Sequence, residues 1–111
     1  MNIQIFGVKK SHDTRKAEMY FKERHISYQF IDLNEKGFSK GELESIKNSI
    51  GIDNLIDKEG REYQKMNLKH MAFDPMELVL DHPLLSKIPI VRNGRNSTAG
   101  YCPDLWKSWK D

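Results

Sequence analysis

The chain has 111 residues, of which 38% are hydrophobic and 31% charged; this is the size and balance of one folded domain, without the charge excess of a disordered segment. Its 18 basic and 16 acidic residues leave a formal charge of only +2 and are spread along the sequence, which gives no electrostatic footprint for direct nucleic-acid binding. The single cysteine, Cys102, excludes an intramolecular disulfide and with it a stapled secreted scaffold. Met1 leads straight into Ile3-Gln4-Ile5-Phe6, too short a stretch for a signal peptide, and no later run reaches membrane-spanning length. The expectation is one cytoplasmic domain over residues 1–111, monomeric and without a membrane contact.

Ile3 and Ile5, flanked by Phe6 and Val8, alternate as in a short strand, and the polar residues from Gly7 to Ser11 predict a turn. From Asp13 onward Ala17, Tyr20 and Phe21 recur at helical spacing, with Arg15, Lys16, Glu18, Lys22 and Glu23 on the other side. Tyr28 to Leu33 is apolar on both faces, the pattern of a buried parallel strand reached through a helical crossover. Ser39 and Glu42 have capping-box spacing, and Leu43, Ile46 and Ile50 mark one helical face that stops at Gly51. Residues 52 to 72 predict short helical turns on either side of a break at Asp57-Lys58-Glu59-Gly60.

Asp74-Pro75 pairs an N-cap with a first-turn proline, and Met76, Val79 and Leu80 give that helix a face before His82-Pro83 ends it. Ile88-Pro89-Ile90-Val91 is a compact apolar run, followed by the hairpin signal Asn93-Gly94 and then Ser97-Thr98-Ala99. Pro103 opens a last helix in which Leu105, Trp106 and Trp109 are expected to cover the sheet, leaving Lys107, Ser108 and Lys110 toward solvent. The predicted order is βαβ, a helical insert, then ββα. That order predicts an α/β, thioredoxin-like fold with a mixed sheet flanked by helices.

Two phrases carry a more specific resemblance. Gly7-Val8-Lys9-Lys10-Ser11-His12-Asp13-Thr14-Arg15-Lys16-Ala17 is similar to the active-site turn of the arsenate reductase family, which includes the Spx and YffB proteins. Ile88-Pro89-Ile90-Val91-Arg92-Asn93-Gly94 resembles that family's Arg-Pro-Ile-Val signature, and Gly100-Tyr101 before a tryptophan-containing helix resembles its ending. The resemblance implies that the essential cysteine of the family falls at Ser11 and the second cysteine of Spx-type members at Thr14. It also makes Pro89 the candidate cis-proline facing the first helix.

Thiol chemistry needs a thiolate at a helix N-terminus, where free N–H groups and the dipole lower the cysteine pKa from about 8.5. A serine hydroxyl stays protonated at neutral pH and does not pass through reversible sulfenate and disulfide states. Ser11 is better read as an N-cap, and His12 as a solvated neighbour rather than a base. The resemblance implies links to glutathione or glutaredoxin, whereas the residues themselves call for no cofactor. A family oxyanion clamp uses forked arginine hydrogen bonds. Here Arg15 is kept, Ile88 stands where the family has an arginine, and Arg92 or Arg95 of the hairpin is left to contribute.

His12, Asp13, Arg15, Arg92 and Arg95 are thus the candidate anion-binding set, for a small oxyanion or glutathione at the helix N-terminus. By analogy with Spx, RNA polymerase is a candidate partner, with Gly51-Ile52 as the matching contact point. Cys102 reads as a structural thiol. His25, His70 and His82 lack metal-ligand spacing, so no metal site is expected. The functional expectation is a member of an oxidoreductase family that does not reduce arsenate as written. The alternatives are a binding protein of the Spx kind, or a non-catalytic binder of an oxyanion or glutathione.

Overall fold

The computed structural model describes residues 1–68 and 72–109. Its elements are β1 (Ile3–Gly7), α1 (His12–Glu23), β2 (Tyr28–Asp32), α2 (Lys40–Ile50), α3 (Ile52–Leu55), α4 (Arg61–Lys65), α5 (Pro75–Asp81), a 3-10 turn (Pro83–Leu85), β3 (Ile90–Asn93), β4 (Asn96–Ala99) and α6 (Pro103–Lys107). The sheet runs β2-β1-β3-β4, with β1 and β2 parallel and the other pairs antiparallel. This is the mixed sheet, βαβ then ββα, that the sequence predicts, and α3 and α4 lie on either side of the expected break.

The alternation in β1 divides the interior in two. Ile3 and Ile5 join Ala17, Tyr20, Phe21, Val91 and Trp106 on the face covered by α1 and α6. Phe6 joins Leu43, Ile46, Leu55, Val79 and Ile90 on the face covered by the helical insert. On the first face Trp106 donates its indole N–H to Thr98 Oγ1 at 2.8 Å while its ring packs on Tyr20 and Phe21. Removing either partner of such a buried pair costs about 1–3 kcal/mol, because the other is left unsatisfied.

Helix boundaries follow the predicted caps. Ser39 Oγ accepts from Glu42 N while Glu42 Oε1 accepts from Ser39 N, and Asp74 Oδ1 accepts from Met76 N and Glu77 N. Gly94 is the first central residue of the β3–β4 turn, with φ +61°. A primed hairpin turn needs that conformation, and glycine adopts it without a Cβ clash.

Two expectations are corrected. β2 pairs with β1 alone and forms an edge of the sheet, so Gln29 is exposed and Tyr28 and Phe30 are only half-buried. Its apolar residues are partly covered by α1, where Tyr28 donates its hydroxyl to Glu18 at 2.9 Å. Burial, then that hydrogen bond and the Glu18 charge, push the Tyr28 phenol up to about 12. In α6, Leu105 is 56% exposed and only Trp106 is buried, with Trp109 partly buried beside it. The helix is a single turn, so successive residues are about 100° apart and one large side chain at a time meets the sheet. Lys110 and His70 lie outside the described residues.

At the junction of β1 with α1, backbone and side chain pack closely. A Cβ on Gly7 would lie 2.7 Å from Thr14 Cγ2 and 3.1 Å from Thr14 Cβ, and Thr14 is completely buried. Gly7→Ala is expected to cost about 1–3 kcal/mol through overpacking. Thr14→Ala introduced alongside it should restore most of that loss; a denaturation cycle over the four chains measures both effects.

Candidate functional site

The turn that leads from β1 into α1 is organised by Ser11. Its N–H donates to Val8 O at 3.1 Å, which closes the turn, and its backbone stays extended (φ −72°, ψ 126°), as an N-cap requires. Its Oγ accepts from Thr14 N at 3.2 Å, and its carbonyl accepts from Arg15 N at 3.1 Å. The bond from Arg15 is the first of the helix itself; of the four N–H groups at the helix start that have no intrahelical partner, that of Ser11 goes to Val8 O and that of Thr14 to the Ser11 hydroxyl. Only those of His12 and Asp13 remain for an anion. Asp13 places its own carboxylate in the first turn, where it takes the favourable interaction with the dipole that an external anion would otherwise take.

The remaining candidates are distributed as follows. Ser11 is half-buried, His12, Asp13 and Arg15 are exposed, and Thr14 has no solvent contact. Thr14 Oγ1 is buried without a hydrogen-bond partner, so its side chain is a packing element against Gly7. The Ile88–Pro89 peptide is cis, and Pro89 is buried. Because Phe6 pairs with Ile90, Pro89 comes level with Gly7 and hence with the start of α1.

Arg92 and Arg95 are not brought to this turn. β3 runs antiparallel to β1, so the hairpin tip lies beside Ile3, at the opposite end of β1 from Ser11. Arg92 is level with Gln4, about 10 Å of strand from Gly7. There its guanidinium donates to Gln4 Oε1 at 3.0 Å and to Gly94 O at 3.1 Å. Arg95 lies by the groove along α2, with Glu44 and Asn48. Of the five candidate anion ligands, the fold gathers only His12, Asp13 and Arg15.

Cys102 sits just before α6, its Sγ donating to Ala99 O at 3.2 Å. Burial pushes the thiol pKa up, and the Lys87 charge only partly offsets this. Among the described residues no group of three His, Cys, Asp or Glu side chains could hold a metal ion, and no helix is long and apolar enough to cross a membrane. Sequence reasoning missed the Gly7–Thr14 contact. The available signal was a glycine at the end of a strand whose face turns toward the following helix.

The geometry defines a class first: an α/β protein of the thioredoxin-like fold, with a capped helix start facing a cis-proline. The comparisons agree. The YFFB protein has a solved structure that superposes with a TM-score of 0.85 over 96% of this chain and 97% of that one, at 22% identity. Arsenate reductase from Vibrio cholerae superposes with a TM-score of 0.79 over 95% and 94%, at 21% identity. In sequence, the chain is 27% identical to Global transcriptional regulator Spx 2 of Oceanobacillus iheyensis, covering 99% of this chain and 94% of that protein. No protein-family model matches the chain. The chain is thus similar in sequence to an Spx protein and shares the fold of the YFFB protein and the Vibrio cholerae arsenate reductase, the group that the two sequence phrases resemble.

Because the thiol of Cys102 is held protonated and hydrogen-bonded, its alkylation at neutral pH is expected to be slower than that of free cysteine. The rate should go on rising with pH beyond the ordinary thiol range before it levels off. A pH series with iodoacetamide, read by mass spectrometry, checks this.

Proposed function

We propose that this chain is a non-catalytic member of the arsenate reductase-like group, which acts by binding rather than by thiol turnover. In this reading Ser11 and Thr14 stand where redox relatives carry their thiols. The observation that carries it is the state of the two side chains: the Ser11 hydroxyl is committed to the helix cap, and Thr14 is sealed against Gly7. Neither contains a sulfur that could pass between thiolate, sulfenate and disulfide. The oxyanion clamp is correspondingly thin, since neither Arg92 nor Arg95 is brought to Arg15.

The partner reading rests on the relative named a global transcriptional regulator, which matches along nearly the whole chain. We take RNA polymerase as the partner by that analogy, with Gly51 at the contact. Gly51 is exposed between α2 and α3 at φ +83°, and open space surrounds the position a Cβ would take. A small oxyanion or glutathione at the His12 and Asp13 N–H groups would be held by the helix end alone, a contribution of about 1 kcal/mol or less at an exposed site.

The native chain, incubated with arsenate, glutathione and glutaredoxin, is expected to form no arsenite above the buffer rate. Ser11→Cys should gain exchange with a glutathione mixed disulfide, because it puts a thiol at the helix start. Turnover by the native chain would sink this reading. Immobilised native chain should retain bacterial RNA polymerase at physiological salt, and Gly51→Arg should release it; recovery of the chain alone contradicts the partner assignment.

A further inference from the structure

We propose that the open edge of β2 is a docking strand, which takes up an extended segment of another protein as an added strand of the sheet. Leu33 N donates to Gly7 O at 2.9 Å. The period of two then turns the N–H and C=O groups of Gln29 and Ile31 toward β1 and those of Tyr28 and Phe30 outward. Among the described residues these four outward groups have no hydrogen-bond partner. The opposite edge of the sheet is closed: on β4, Ser97 N donates to Ser49 Oγ at 2.8 Å, Ser49 Oγ donates to Ser97 O at 3.4 Å, and Cys102 Sγ donates to Ala99 O at 3.2 Å.

The make-up of β2 fits this role. Edge strands are ordinarily blunted by lysine, proline or a bulge. β2 reads Tyr28-Gln29-Phe30-Ile31-Asp32, with its one charge at the end, and it pairs residue for residue with β1 over its whole length. A groove of about 540 Å³ lies between this edge and α1, with Lys22, Ile26, Tyr28 and Phe30 among its walls. Every second side chain of an added strand would enter that groove, with Phe30 at its middle.

The backbone, not charge, selects the occupant. Glu18, Lys22 and His25 put both signs along the groove, and Glu18 is already bonded to the Tyr28 hydroxyl. Donors and acceptors that alternate along an edge are matched by an extended chain, the mode of strand addition. A second copy of β2 matches them poorly. With the two edges fully overlapped and antiparallel, Tyr28 N–H of one copy needs Asp32 O of the other. That carbonyl already accepts from Glu35 N at 3.0 Å and from Lys36 N at 2.9 Å in its own turn. Shifted by one pleat, two copies keep a ladder of only about three residues, centred on Gln29. A separate segment with an apolar residue opposite Phe30 has neither limit, and bonds to Tyr28, Phe30 and the Asp32 N–H in one run.

The probe is the peptide acetyl-Lys-Val-Thr-Val-Thr-Val-Lys-amide, titrated into the isotope-labelled native chain while amide resonances and their hydrogen exchange are followed. The amides of Tyr28, Phe30 and Asp32 are expected to shift and to gain protection, and that of Ser97 on the closed edge to stay unchanged. The same peptide methylated at every peptide nitrogen should bind about tenfold more weakly or worse. Phe30→Pro removes an outward N–H that β1 does not use, and should weaken binding to a similar degree. Phe30→Lys keeps every backbone group and adds a blunting charge; it should weaken binding too, and it decides the matter if the proline variant loses protection at Ile31. The proposal fails if none of the three amides responds up to about 1 mM peptide, the weak end of specific association. It also fails if the methylated peptide binds as well as the parent. A dimer of the native chain in sedimentation equilibrium, with the Phe30 amide protected in the absence of peptide, overturns it in favour of a second copy.

Discussion

The seating of α1 on the end of β1 is the constraint from which the rest of this structure follows. Gly7 lacks a Cβ, and Thr14 fills the space that one would need. With Thr14 held there, the turn between them has one closed form, in which Ser11 bonds back to Val8 and caps Thr14. The rotation of α1 is then fixed, so Ala17, Tyr20 and Phe21 meet Ile3, Ile5 and Val91, and Trp106 closes the layer from the far end of the chain. The same rotation leaves Lys16, Met19 and Glu23 outside. A strand–helix junction of this tightness therefore sets both the interior and the exposed face.

The opposite layer is assembled differently. The helical insert contributes short elements, with α3, α4 and α5 each of seven residues or fewer, around Phe6, Leu43, Leu55 and Val79. Helices of that length are not stable alone, and tertiary burial holds them. The α2 helix also protects the sheet edge: Ser49 Oγ accepts from Ser97 N at 2.8 Å, and β4 thus spends an edge donor within the molecule. Among the described residues the β2 edge has no such cover, and its half-buried Tyr28 is held by the bond to Glu18.

Much of this was legible in the sequence because local chemistry and tertiary outcome agree. The Ser39–Glu42 box, the Asp74-Pro75 start and the helical stripe of Ala17, Tyr20 and Phe21 each specify their own geometry. The parts that were not legible depend on pairing. Tyr28 to Leu33 has the composition of a buried strand, but only the sheet order makes it an edge. Leu105 has the composition of a core residue, but a one-turn helix has room for Trp106 alone. Arg92 and Arg95 are near Pro89 in sequence, yet the antiparallel direction of β3 carries them to the other end of the sheet.

At the candidate site the same junction decides what chemistry is left. A helix N-terminus raises the reactivity of a thiol, but here it meets a hydroxyl that serves the helix itself. The most direct test of that claim is amide hydrogen exchange at Thr14 in the native chain and in Ser11→Ala. If Ser11 is a structural cap, worth about 1 kcal/mol, the Thr14 amide should exchange several-fold faster in the variant, beyond any uniform change in the protection of β1 and β3. Equal protection of Thr14 in the two chains would contradict the cap, and would free the Ser11 hydroxyl for another role.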